Sequence, residues 1–293
     1  MPQDRRLAAF ARRQRKGSGK RVIGVGNIRR MLPGSPNGEF GGDIPPGVFS
    51  GDTMIMAMED SYCDMWGRED IIDRRIRSIF TVSMMVAVGR VGNHPELELH
   101  APAAIYNGVT VAELEAIIVQ ARAYTGSPCA ANAMRTIEAA ITKAGLITEP
   151  LPRADVARRE RSGQEKRAIA REVLHEIVPE SPLLDIGDEL VVDTFAPELD
   201  HMELELVYFD LWARTHVLDH RLRSVVTLGF VMALLDHAAI REHVALALRV
   251  GLTVPELEEL VYHASTYLGY IAGKALRVTV AQAIDAAVPK PVG

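Results

Sequence analysis

Tyr62–Ala87 reads YCDMWGREDIIDRRIRSIFTVSMMVA and can be written directly above Tyr208–Ala233, YFDLWARTHVLDHRLRSVVTLGFVMA. At an offset of 146, ten of 26 positions are identical: Tyr62, Asp64, Trp66, Arg68, Asp73, Arg75, Arg77, Ser78, Thr81 and Ala87. Three residues then drop out of the second copy. At an offset of 143, His94–Gly126 aligns with His237–Gly269 with 12 of 33 identities. These include both histidines of each copy, Gly108/Gly251, Thr110/Thr253, Glu113/Glu256, Glu115/Glu258 and Tyr124/Tyr267. One change of register over so long a match makes this an internal duplication, which decides the organisation of the chain.

Each copy carries helical periodicity. Ile72, Ile76, Ile79 and Phe80 recur at helix spacing, as do Leu218, Leu222, Val225 and Val226. Thr110-Val-Ala-Glu113 and Thr253-Val-Pro-Glu256 are capping boxes, in which the threonine oxygen and the glutamate satisfy first-turn N–H groups reciprocally. Pro255 fits there because those N–H groups have no partner within the helix. Gly108, Gly251, Gly126 and Gly269 fall where helices should end. No alternating strand pattern occurs in the repeats, so the fold class is all-α, two tandem copies of one helical domain.

The composition agrees. The 293 residues are 48% hydrophobic but only 5% aromatic, so the core must be aliphatic. A net charge of −5 provides no global basic field for nucleic acid, so no nucleic-acid partner is expected. Two cysteines cannot form a disulfide framework or a four-thiolate zinc site. The apolar stretches Ile79–Val88 and Val225–Leu235 are too short to span a bilayer of ~20 residues. No apolar signal segment follows the basic N-terminus, so a soluble, cytoplasmic protein without membrane partners is expected.

The expected division is a basic arm and Gly/Pro-rich extension over 1–48, a first domain over 49–146, a linker over 147–170, a second domain over 171–287 and a tail over 288–293. The arm is read as solvated and flexible, with contact to an anionic partner as the alternative. Gly24–Gly51 is read as a long surface loop. Gly24-Val-Gly26 lacks the strand and third glycine of a dinucleotide site.

The carried pattern is Trp66, IIDRRIRS, ELELH, YNGVTVAELEAIIVQARAYTG and SPCAANAMR, repeated as LDHRLRS, IREH, RVGLTVPELEELVYHASTYLG and KALR. It resembles the carboxymuconolactone decarboxylase family over roughly Phe49–Ala144 and Arg171–Ala287. The resemblance implies a helical, alkylhydroperoxidase-D-like fold and cofactor-free decarboxylation of a carboxylated unsaturated lactone. It also implies self-association, for a fused pair a homotrimer resembling a hexamer of single domains. Redox relatives with this fold carry a Cys-x-x-Cys pair and a histidine. Counting from Glu115 lands on Ser127, Ala130 and Met134, and from Glu258 on Tyr270, Gly273 and Arg277, so thiol chemistry is disfavoured. Cys63 and Cys129 read as small core residues.

Decarboxylation with no metal and no cofactor needs an electron sink within the substrate. The protein must hold an anion, stabilise the developing oxyanion and deliver a proton to carbon. Arginine suits the first two tasks. Arg75/Arg221 are the favoured catalytic pair, with ion pairing as the structural alternative, and Arg77/Arg223 are candidate substrate-binding residues on another face of the same helix. His100/His243 are the candidate acids, and Glu115/Glu258 are candidates for orienting them. His94/His237 also recur and are candidate substrate contacts. Three readings stay open: a decarboxylating lyase, a cofactor-independent isomerase, elimination or ring-rearrangement enzyme on the same scaffold, and a non-catalytic ligand-binding oligomer.

Overall fold

A computed structural model describes residues 7, 10–35, 38, 50–89, 95–148, 150–151, 153–193 and 195–288. The first repeat runs α1 (Gly17–Met31), α2 (Gly51–Met56), a wide-turned π-helical segment (Ala57–Met65), α3 (Arg74–Val88), α4 (Pro95–Tyr106), α5 (Val111–Thr125) and α6 (Ser127–Lys143). A short α7 (Val156–Arg159) follows. The second repeat runs α8 (Gly163–Ile177), a 3-10 turn (Pro182–Asp185), α9 (Glu198–Glu203), a second π-helical segment (Leu204–Trp212), α10 (His220–Ala233), α11 (His237–Arg249), α12 (Val254–Leu268) and α13 (Tyr270–Ala287). There is no strand among the described residues.

The local signals act as expected. Asp73 and Asp219 cap α3 and α10 through the backbone N–H groups of Ile76 and Leu222. Both threonine capping boxes form, at the starts of α5 and α12. Gly108, Gly126, Gly251 and Gly269 all hold positive φ.

The repeat begins earlier than the division at 49 and 171. α1 and α8 are related by the same offset of 146, with Gly17/Gly163, Lys20/Lys166, Arg21/Arg167 and Ile23/Ile169 identical. Each packs on the π-helical segment of its own repeat. Arg21 bonds Glu59, and Arg167 bonds the equivalent Glu205. The expected surface loop therefore starts with a helix, and residues 163–170 belong to the second domain. Part of the basic arm is likewise folded in: Lys20 is buried 2.6 Å from Asp64 and Arg12 pairs with Asp70. Gly24 is needed for helix approach, since a Cβ there would lie 2.1 Å from the Met58 carbonyl oxygen. Most of the Gly/Pro-rich stretch that follows α1 lies outside the described residues.

One core joins the two repeats. α3 and α10, each apolar along most of its length, cross at the centre of the molecule. They touch where Ser83 meets its own repeat equivalent, Gly229. A Cβ on Gly229 would stand 2.7 Å from Ser83 Cβ and 3.0 Å from the Phe80 carbonyl oxygen, so only glycine allows this approach. Packing across the axis brings α12 against α3, and α5 against α10. That exchange builds the sites described next.

Candidate active site

Each half-site draws residues from both repeats. Trp66 Nε1 of the first repeat donates to the Tyr267 hydroxyl of the second at 2.9 Å. Trp212 Nε1 of the second donates to the Tyr124 hydroxyl of the first at 3.2 Å. The arginines follow suit. Arg77 Nη2 donates to the Arg68 carbonyl, and Arg223 Nη2 donates to the Arg214 carbonyl. Arg77 and Arg223 are 0% and 3% exposed, so both are cations taken out of water.

What meets those cations differs. In the first half-site, Glu259 from α12 accepts from Arg77 Nη2 at 2.9 Å and from Arg68 through two bonds, one from Nε at 3.0 Å. Burial pushes the Glu259 carboxyl up, but Arg68 and Arg77 outweigh this and hold it below the usual carboxylate range. The Arg68 guanidinium also lies 4.8 Å over the Tyr262 ring. At the equivalent positions of α5 stand Ala116 and Val119.

The second half-site is therefore open. A cavity of about 520 Å³ is lined by Ala112, Glu115, Ala116, Val119 and Arg122 of α5, by 153–156, Arg158 and Arg159, and by Asp210, Leu211, Arg214, His216, Val217 and Arg223. Six arginines face three carboxylates there. Arg223 has no ion pair among the described residues; its Nη1 donates to Gln120 Oε1 at 3.0 Å and its buried Nε has no partner. Burial, with Arg214 and Arg158 nearby, pushes its pKa down to about 10. Arg158 stacks 3.9 Å over the Phe209 ring, and burial together with Arg214 lowers its pKa also. A desolvated guanidinium without a counter-ion carries a penalty of several kcal/mol, which an anion in the cavity would offset. Glu115 has its pKa raised by burial, against the pull of Arg214.

The residues proposed from sequence scatter. Arg75 and Arg221 bond Glu113 and Glu256, the capping glutamates of their own repeats, and neither lines the arginine cavity. Neither histidine of the favoured pair lines the arginine cavity. His100 is buried, stacked on Trp66 and set edge-on to Tyr267, with Glu96 3.8 Å from its Nε2. His243 is set edge-on to Tyr124, its Nδ1 has no partner, and burial pushes its pKa down to about 4. Burial thus favours its neutral form, which does not suit the acid role expected of it. His237 Nδ1 lies 2.7 Å from Thr279 Oγ1 at the start of α11, and His94 lies outside the described residues. Glu258 lines a different, mostly apolar groove of about 440 Å³ between α12 and α13. Among the described candidates, only Glu115 and Arg223 line the arginine cavity together.

Three residues were missed. Arg214 recurs as Arg68, but its carbonyl and side chain gain meaning only beside Arg223. His216 stands where the first copy has Asp70, and Arg158 lies in a charged run read as linker. Cys63 and Cys129 are buried free thiols, as expected; Cys129 Sγ donates to the Val86 carbonyl at 3.0 Å, and burial pushes the Cys63 thiol up.

The model of the carboxymuconolactone decarboxylase family matches residues 57–139 and 197–281, one match per repeat. A 4-carboxymuconolactone decarboxylase of Acinetobacter baylyi is 30% identical over 101 residues, 34% of this chain and 72% of that protein. A crystal structure of a protein assigned as a gamma-carboxymuconolactone decarboxylase subunit, from Burkholderia xenovorans, superposes with a TM-score of 0.49 at 18% identity. That match covers 92% of this chain and 98% of the other. No helix among the described residues is long and apolar enough to cross a membrane. With two family matches, each containing one tryptophan and its arginine pair, the chain belongs to the carboxymuconolactone decarboxylase family.

Proposed function

We propose that the chain is a decarboxylase-type lyase acting on a carboxylated unsaturated lactone in the cavity of the second half-site. The observation that carries this reading is Arg223: a buried cation without a carboxylate partner, lining a cavity that also presents Arg158 and Arg214.

In the proposed reaction the bond between the ring carbon and the leaving carboxylate breaks as CO₂ departs. The electron pair moves through the conjugated double bond onto the lactone carbonyl oxygen. Arg223, Arg214 and Arg158 hold the substrate's anionic groups and the oxyanion. Fixed cationic donors aimed at the developing charge stabilise it without reorganising during the step. The proton for the dienolate carbon comes from Glu115, the cavity-lining carboxyl whose pKa burial raises. The electron sink lies within the substrate, so these steps require no organic cofactor. His100 and His243 serve in this reading as buried supports of the tryptophan–tyrosine pairs. Self-association, expected as a homotrimer, forms part of the same reading; α13 leaves Ile271 80% exposed beside Tyr270.

The test is release of labelled CO₂ from carboxyl-labelled carboxymuconolactone by the purified chain, beside Arg223→Met. Release that the substitution abolishes supports the reading. Conversion to a product of unchanged mass favours the isomerase alternative, and no turnover of any kind favours the ligand-binding one.

A further inference from the structure

The two half-sites share one framework, yet among the described residues only one leaves its equivalent arginine pair without a carboxylate in ion-pair contact. In the first, Arg68 and Arg77 converge on Glu259, which is 1% exposed and accepts from both guanidinium groups. In the second, Arg214 and Arg223 occupy the equivalent positions, and the residue equivalent to Glu259 is Ala116. The neighbour one turn along α12 and α5 changes in the same sense, Tyr262 against Val119. Tyr262 lies under Arg68, whereas Val119 and Ala116 line the cavity. The hydrogen-bonding floor is meanwhile retained: Arg77 reaches His263, which bonds Thr81, and Arg223 reaches Gln120, which bonds Thr227. The arginine pair is thus the constant part, and the carboxylate is what one copy supplies from its own chain.

We propose that the first half-site is a second carboxylate-binding pocket that the protein fills with its own Glu259, covered by Tyr262, so that each chain takes one carboxylated ligand, at the second half-site. Glu259 is then a tethered stand-in for the ligand's carboxylate. Removing it would hand Arg68 and Arg77 to a small carboxylate from solution. This inference rests on the reading of the arginine cavity as a carboxylate site.

The test has two arms. Furan-2,5-dicarboxylate, a stable planar five-membered oxygen ring bearing carboxylates, is titrated calorimetrically into the full chain. The native protein is expected to bind one per chain, Arg223→Met none, and the Glu259→Ala/Tyr262→Val double variant two. In the second arm Glu259→Ala alone is melted in acetate and in chloride at matched ionic strength. Acetate is expected to raise its melting temperature, or its refolding yield if the variant is isolated unfolded, more than it does for the native chain. No binding to the native protein overturns the reading of the cavity, while the acetate arm still decides this inference. A folded double variant with one site, or a Glu259→Ala chain indifferent to acetate, overturns the inference itself.

Discussion

His263 and Gln120 occupy the same place in the two repeats and make the same pair of hydrogen bonds. Gln120 Oε1 accepts from Arg223 Nη1 at 3.0 Å, and its Nε2 donates to Thr227 Oγ1 at 2.7 Å. His263 Nδ1 lies 3.4 Å from Arg77 Nη1, and its Nε2 lies 2.7 Å from Thr81 Oγ1, which itself donates to the Arg77 carbonyl. An arginine can only donate, so His263 must accept at Nδ1 and carry its proton on Nε2. A neutral imidazole of that tautomer copies a carboxamide. Burial, then Arg77 and His100, lower its pKa well below the usual value. His263→Gln should therefore stay within about 1 kcal/mol of native stability, whereas His263→Ala should lose about 1–3 kcal/mol by orphaning Arg77 and Thr81. Urea unfolding at neutral pH measures both.

Acid should weaken the fold through His243 and His263. Each has its pKa lowered on folding, so the unfolded chain takes up protons first as pH falls below about 6.5. Their contribution is complete above that pH and is lost as pH drops through the folded value, about 4 for His243. For His243 alone the loss is of order 3 kcal/mol between those limits. His243→Gln should flatten the acid limb of a stability–pH curve measured by urea unfolding.

Arg77 and Arg223 should respond oppositely to removal of their charge. Arg77→Met takes one of the two guanidinium partners from the buried Glu259, leaving it Arg68, and should cost about 1–3 kcal/mol. Arg223→Met removes an uncompensated buried cation and should leave stability unchanged or higher, while abolishing turnover. Thermal melts beside the CO₂ assay separate the two effects.

Glu115→Gln keeps the shape of the cavity but removes its proton donor. We expect kcat to fall by about 10²–10⁴-fold with the KM little changed. In the native chain, activity should decline as pH rises through the raised pKa of Glu115 if its protonated form is the donor, as proposed. Glu115→Gln should lose that limb in a pH–rate profile.

Gly229→Ala should overpack the crossing of α3 and α10, where the new Cβ meets Ser83 Cβ at 2.7 Å. A loss of about 1–3 kcal/mol is expected. Adding Ser83→Gly should return part of it, because the two positions face each other, and a double-mutant cycle gives the coupling.

Much of the fold was legible because it is written twice. Threonine capping boxes, terminating glycines and apolar spacing recur at a constant offset and are local signals. α1 escaped because its four glycines and basic residues read as coil; its burial comes from Gly24 against Met58 and Lys20 against Asp64, contacts between distant segments. The site was harder for the opposite reason. Attention to recurring residues pointed to Arg75/Arg221, which recur because they brace the caps at Glu113 and Glu256. The cavity is marked by positions that differ between the copies, such as Ala116 against Glu259 and His216 against Asp70. Nor could one repeat reveal it, since Glu115 and Arg223 meet only across the axis.

The contact of Ser83 with Gly229 has a consequence for partner choice. Two copies of the first repeat, docked as the repeats dock here, would drive one serine side chain into another at the crossing. Two copies of the second would leave a gap there instead. A bump on one face thus matches a hollow on the other, and each repeat fits its sister better than itself. That preference favours the unlike pairing, and the unlike halves differ also in Glu259, the carboxylate that only one of them receives at its arginine pair.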